Sequence, residues 1–411
     1  MVNVANFLTL RYDPDVGNNG TIRNVSYRDV LNLRQSYDPA PSSEEVEAVL
    51  RKKIRSQINE FGAKRISLAI SAGIDSNLIF CLIKKEFPDI ELDCLTVSFD
   101  NEDDTSSEVL TAKKIAESQN AAFHEIYVGN PLKDLPLLIS IIKEPRWNIY
   151  QYYFIEKAST ISKVLFTGDG GDELFGGYTF RYRKFIENLK SDHTWVDRVR
   201  LYLLCHERDW VEDQESMFGP SIKFTWSSIY EILKQYFDND LEPLEQVLLA
   251  DYHGKLMYDF VPTNQKYFTH FSINGVAPLL SDDVITLSEK IPARIKYDYP
   301  ANIGKIQLRE ILKRNVSPEI SHLIEDKKKG FSIDLTKFWI KYGKEMVTSN
   351  LDRARIFEDK IINRDWYFKS MHRIDQDKFD VRDISKMLQL LSLEIWYRLF
   401  VTCEITPKFC L

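Results

Sequence analysis

Apolar residues in this chain come in short solid runs, separated by helix-length stretches with one apolar face. "RISLAIS" (65–71), "ELDCLTVSF" (91–99), "AFHEIYV" (122–128) and "KVLFTG" (163–168) read as buried strands. Between them, "NLIFCLIKKEF", "SSEVLTAKKIAESQ", "LKDLPLLISIIKE" and "YYFIEKASTIS" read as helices. Strand and helix alternating at this spacing predicts βαβ units, hence an α/β fold with a parallel sheet and helices on both faces. Upstream, "PAPSSEEVEAVL" predicts a helix start, with a Ser cap and two Glu in the first turn. Residues 1–41 read as short strand-like pieces such as "NFLTLRY" among Asn, Gly and Pro. From about residue 185 onward the pattern is mostly helical. The expected organisation is a short N-terminal segment (1–45), a core (46–190) and a helical region completing it (191–411). There is no internal repeat, low-complexity tract or Ser/Gly linker, which predicts one compact unit.

Composition narrows the class. Of 411 residues, 44% are hydrophobic, enough for a large core. Lys and Arg (54) nearly balance Asp and Glu (61), which argues against broad nucleic-acid or membrane-surface binding. The five cysteines are scattered without a CxxC pair, so neither a disulfide framework nor a zinc site is indicated. No run reaches the roughly 18 apolar residues of a membrane helix, and the N-terminus lacks signal-peptide features. The expectation is a cytoplasmic protein with no membrane and no nucleic-acid partner.

Two strand exits carry the candidate chemistry. The first leads into "SAGIDS" (71–76) and at once into a helix, whose N-terminus suits an anion. Gly73 allows close backbone approach, and Ser71 and Ser76 can donate hydrogen bonds. Asp75 would repel a phosphate unless Mg²⁺ bridges the two. Taken alone, the stretch reads equally well as a helix cap. It is neither a Walker loop nor a dinucleotide fingerprint. The second is "GDGGDELFGGY" (168–178), with five glycines and three acids in eleven residues. Both exits lie on the carboxyl edge of the sheet, where ligands bind in parallel folds. Facing loops there would let Asp75 and Asp172 share a metal, with Gly168, Gly170 and Gly171 letting backbone run against the ligand.

At these residues the chain resembles a known family. "SAGIDS" is similar to the S-G-G-x-D-S loop of N-type ATP pyrophosphatases, which have the adenine nucleotide alpha-hydrolase-like fold. "GDGGDELFGGY" resembles the corresponding loop in the synthetase domain of the asparagine synthetase family. "KEP" (143–145) is similar to the family's D-E-P, "KIQLR" to K-x-x-L-R, and "KKKGF" to K-x-G-F. The resemblance runs from about 45 to 400. It implies ATP and Mg²⁺ as cofactors, with a small-molecule carboxylate attacking the α-phosphate. An acyl-adenylate and pyrophosphate result, and ammonia or an amine then displaces AMP. It implies ATP binding at Ala69, Ser71, Gly73, Asp75, Ser76, Val97 and Gly168, and metal binding at Asp75 and Asp172. Lys328 is implied as the catalytic cation. Asp169 is expected to orient the amine or its proton transfer, and Glu173 to support the metal or the lysine.

The chain also departs from that family. Typical members begin, after Met, with a catalytic Cys in a glutaminase domain of about 200 residues, whereas here Val2 follows Met1. Glutamine hydrolysis is therefore not expected. Nitrogen would come from free ammonia, a separate glutaminase partner or the amine of another substrate. The family's V-D-R and E-V-R-V-P-F-L-D segments align with "TNQKYFTHFSINGVAPLLSD" (263–282), so Gln265 replaces an Asp, Val276 an Arg, and Lys266 alone keeps its sign. With Tyr178, Lys266, His270 and Val276 assigned to the substrate pocket, plain aspartate is disfavoured as the acid. Ammonia-dependent asparagine synthesis and a β-lactam- or peptide-cyclising relative both stay open. A tRNA-modifying pyrophosphatase would predict a basic surface and extra cysteines, which are absent.

Overall fold

The computed structural model describes residues 2–16, 22–35, 39–99, 107–324, 334–376 and 380–411. Five strands, β1 (Arg65–Ala69), β2 (Glu91–Phe99), β3 (Ala122–Val128), β4 (Val164–Phe166) and β5 (Asn274–Val276), form one sheet in the order β3-β2-β1-β4-β5. Every pairing is parallel. The four strands read from the sequence are there, with β1 and β4 slightly shorter than their apolar runs.

Alternation along the strands divides the interior in two. Ile66, Leu68, Leu92, Cys94, Val164 and Phe166 join one cluster with the helices Ser43–Phe61, Ile74–Glu86 and Ser107–Ser118. Leu95 and Leu165 join the other, with the helices Leu135–Ile142, Gln151–Ser159 and Val381–Phe400. The sheet is therefore covered on both faces. In the helix Val381–Phe400 an unbroken run from Asp383 to Trp396 is buried, which makes that helix a centre of the second cluster.

The helix Ser43–Phe61 starts as its sequence predicts. Ser42 accepts from the amide of Glu45, and the Glu45 side chain returns a bond to the Ser42 amide. Residues Val4–Leu10, by contrast, form a helix rather than the expected strand-like piece. Asn3 caps it by accepting from the amides of Ala5 and Asn6, and Arg11 ends it at φ +70°. Six of the seven residues of that helix are buried. Burial nearly all round removes the one-faced pattern by which a surface helix is recognised. β5 was not foreseen either: three residues containing Gly275 carry no periodic signal, and only pairing with β4 makes them a strand.

The N-terminal helix is tied to the C-terminal half by Lys386, which is fully buried. Its ammonium donates to the carbonyl of Leu8, to the carbonyl of Asp209 (2.9 Å) and to Gln389 Oε1 (2.7 Å). Three donors thus meet three acceptors. No helix among the described residues is long and apolar enough to cross a membrane. Replacing Lys386 by Met would take the ammonium from all three acceptors, of which the Leu8 carbonyl keeps a bond from Gln214 Nε2 at 3.2 Å. The K386M variant is expected to lose about 2–3 kcal/mol, measured by denaturant unfolding, with the far-ultraviolet circular dichroism unchanged.

Candidate functional site

β1 leads through Ile70–Gly73 into the helix Ile74–Glu86. Gly73 stands at its N-cap and supplies no side-chain bond. The loop is held instead by its own polar groups. Ser71 Oγ accepts from the Gly73 amide at 3.1 Å, and Ser76 Oγ from the Ser71 amide at 3.1 Å. Asn77 Nδ2 donates to the carbonyls of Ser71 (2.9 Å) and Gly73 (2.7 Å). A helix N-terminus is thereby presented in a preset loop, with Ala69 just before it. Val97, in β2, lies toward the same carboxyl edge of the sheet.

The glycines of the 168–178 stretch are explained by contact. A Cβ on Gly168 would lie 2.8 Å from the Ser76 amide nitrogen, and one on Gly171 2.3 Å from Asp75 Oδ1. The loop after β4 is pressed against the first turn of the helix after β1. A Cβ on Gly177 would lie 1.9 Å from Asp172 Oδ1 and 2.3 Å from Lys305 Cε.

Lys305 is the residue that sequence reasoning missed. Its Nζ lies 2.5 Å from Asp75 Oδ2 and 2.8 Å from Asp172 Oδ1, so one ammonium joins the two strand exits. The residue is 7% exposed and has φ +56°, an uncommon backbone state for a side-chain-bearing residue. A bond from its amide to the Phe175 carbonyl (2.9 Å) holds it there, at the cap of the helix Ile306–Asn315. Burial alone would lower the pKa of the ammonium, but Asp172 and Asp75 outweigh it and the net shift is upward. The available signal was its place as the Lys of "KIQLR", which resembles K-x-x-L-R.

Asp169 is partly exposed. Its Oδ2 accepts from Thr167 Oγ1 and from Asn264 Nδ2, both at 2.9 Å. Desolvation raises its pKa, the two hydrogen bonds oppose that rise, and the charge of Asp75 adds to it, for a net upward shift. Glu173 is buried and accepts from Tyr178 Oη at 2.5 Å, while the Arg181 guanidinium lies 4.2 Å from the Tyr178 ring centre. Burial, then Glu173 and Asp172, push the Tyr178 hydroxyl well above its ordinary value.

The remaining expected residues sit apart from this cluster. Lys266 Nζ donates to Glu144 Oε1 and the Ile142 carbonyl, both at 2.6 Å. Glu144 also pairs with Arg146 (2.7 Å), which reaches Asp259 at 2.5 Å. Burial opposes the Glu144 carboxylate, yet Arg146 and Lys266 hold its pKa below the usual range. His270 is exposed, its ring edge-on to Phe271. Val276 is buried in β5 beside Phe166, and Gln265 is exposed. Lys328 lies outside the described residues.

A helix N-terminus, a glycine-rich stretch seated on it and two carboxylates sharing one ammonium thus lie together at the carboxyl edge of the sheet. The family profile described as Asparagine synthase matches residues 45–398. The chain belongs to the asparagine synthase family. It is 22% identical over 374 residues to "Asparagine synthetase [glutamine-hydrolyzing] 1" of Bacillus subtilis (strain 168), covering 82% of this chain and 57% of that protein. It is 21% identical over 411 residues to a "Putative asparagine synthetase [glutamine-hydrolyzing]" of Mycobacterium bovis, covering 89% and 59%. The chain thus spans less than two thirds of the length of these asparagine synthetase relatives. A 60-residue stretch is 38% identical to the "NH(3)-dependent NAD(+) synthetase" of Alkaliphilus oremlandii, covering 15% of this chain and 24% of that one. The parallel sheet with helices around it is consistent with the synthetase domain of this family.

Removing the cation should expose the repulsion it masks. K305M is expected to lose about 3–5 kcal/mol at neutral pH, since Asp75 and Asp172 remain apposed without the ammonium that they share. The deficit should shrink as the pH falls and the carboxylates protonate. Denaturant unfolding of both proteins at pH 7 and pH 5 checks this, and a deficit of equal size at both would contradict the charge explanation.

Proposed function

We propose that the protein is an ATP-dependent, AMP-forming carbon–nitrogen ligase of the asparagine synthetase type. The observation that carries the reading is the sharing of one cation by Asp75 and Asp172, at the mouth of the helix after β1. The amides of that first turn and the hydroxyls of Ser71 and Ser76 would hold the phosphates, with Gly168 permitting close approach. Ala69 and Val97 would border the nucleotide at the strand ends.

The site also suits Mg²⁺. Two carboxylates already converge on one positive charge, and among the described residues no group of three or more His, Cys, Asp and Glu side chains gathers to hold a metal. Mg²⁺ is commonly held in this way, by one or two carboxylates with phosphate oxygens and water completing its shell. When bound, it would neutralise charge on the departing pyrophosphate. Lys305, beside both aspartates, would add positive charge toward the phosphates.

In the reaction, a substrate carboxylate attacks the α-phosphate and pyrophosphate leaves. Lys328 is assigned the developing charge, and Glu173 is assigned to hold its neighbours in place through Tyr178. Ammonia or an amine then attacks the acyl carbon, AMP leaves, and Asp169 orients the amine or takes its proton. Burial and the charge of Asp75 raise the pKa of Asp169, which suits a proton acceptor.

An acid other than aspartate is the favoured substrate. Lys266 is committed to Glu144, Val276 to the apolar core and Gln265 to the surface, so these three positions offer a zwitterion no charged clamp. His270 and Tyr178 remain assigned to the acceptor side. A separate glutaminase is a second possible nitrogen source beside free ammonia, and the cytoplasm is the expected compartment.

Incubation with ATP, Mg²⁺, ammonium and a panel of amino acids should release pyrophosphate and AMP in equal amounts. Strict dependence on aspartate would remove the preference for a different acid, and release only with tRNA would move the protein to another class. D75N and D172N should each lower pyrophosphate release at least about a hundredfold, within the range set by loss of an electrostatic catalytic contact. Full turnover by either variant would refute the metal assignment.

A further inference from the structure

Asn264 is contributed by the helix Val261–Phe271, far along the chain from the loop that it touches. It is 5% exposed. Its Nδ2 donates to Asp169 Oδ2, and its Oδ1 has no hydrogen-bond partner among the described residues. A buried amide kept for packing alone would have both ends paired or be replaced by an apolar side chain, because an unpaired buried carbonyl destabilises the fold. This one spends its donor on a single carboxylate. Thr167 is 4% exposed and brings a second donor to the same oxygen. Thr167 is itself fixed by the bond from its amide to the Val276 carbonyl at 2.9 Å. Two donors, one from the residue after β4 and one from the helix Val261–Phe271, thus converge on one oxygen of Asp169. Among the described residues, no cationic side chain pairs with that carboxylate, and the charge that bears on it is Asp75.

We propose that Asn264 is a positioning residue for Asp169: with Thr167 it anchors Oδ2 and so leaves Oδ1 as the oxygen that meets the incoming amine. The inference rests on the role given to Asp169 under the proposed function. It assigns to the helix Val261–Phe271 a direct part in the amide-forming step. Fixing one carboxylate oxygen with two neutral donors also favours the ionised form, which a proton acceptor requires.

Asn264→Leu and Asn264→Ser remove the donor with different effects on packing. Carbon-13 NMR of aspartate-labelled protein follows the Asp169 carboxyl, assigned as the resonance missing from Asp169→Asn. Its titration midpoint is expected to rise by about one pH unit in both variants. With the acid identified, pyrophosphate release in the absence of amine should change less than about twofold, while amide formation falls about tenfold. A midpoint unchanged from the parent in both variants overturns the proposal, as does equal loss in the two half-reactions. The two levels of the reading separate cleanly. Asp169→Asn with full amide formation overturns the role of Asp169 and this inference with it. An inactive Asp169→Asn beside unshifted Asn264 variants overturns the inference alone.

Discussion

One ammonium between two carboxylates holds this site together. Asp75 belongs to the first βα unit, Asp172 to the short helix Gly171–Phe175 after β4, and Lys305 to a helix cap much later in the chain. Two carboxylates so close would repel each other and push their loops apart, and the lysine turns that repulsion into attraction. Everything near it follows from the resulting closeness. Gly168, Gly171 and Gly177 are bare because the partner loop or the lysine stem occupies the place of a side chain. The uncommon backbone state of Lys305 is tolerated because the bond to Phe175 and the two ion pairs over-determine it.

The same electrostatic argument distinguishes the two charged clusters. Lys305 answers two acids, one in the first turn of the helix Ile74–Glu86 and one in the short helix Gly171–Phe175. The Glu144, Arg146, Asp259 and Lys266 cluster balances two acids with two bases and is largely buried. Neutrality and burial fit a structural joint between the residues after the helix Leu135–Ile142 and the helix Val261–Phe271.

The sheet was legible because four of its strands are continuous apolar runs with helices of conventional length between them. The start of the helix Ser43–Phe61 was legible because Ser42 and Glu45 form a local cap that needs no tertiary partner. The helix Val4–Leu10 and β5 were not, since the first is buried all round and the second exists only through pairing with β4. In the site, Asp75 and Asp172 could be read from the loops that contain them. Lys305 and Asn264 could not, because their roles arise from contacts with residues distant in sequence, and neither stands in a stretch that advertises phosphate chemistry. The resemblance of "KKKGF" to K-x-G-F implied a catalytic role for Lys328, whereas that of "KIQLR" to K-x-x-L-R implied no role for Lys305.

The position of the helix Val381–Phe400 bears on how the protein is made. Its buried run completes the cluster that contains Leu95 and Leu165, yet it is synthesised after every strand and helix that it covers. Until then the helix Leu135–Ile142 and its neighbours keep an oily side open to water. Nascent chains of this protein pass through a stage with one flank of the sheet finished and the other bare, when self-association competes with completion.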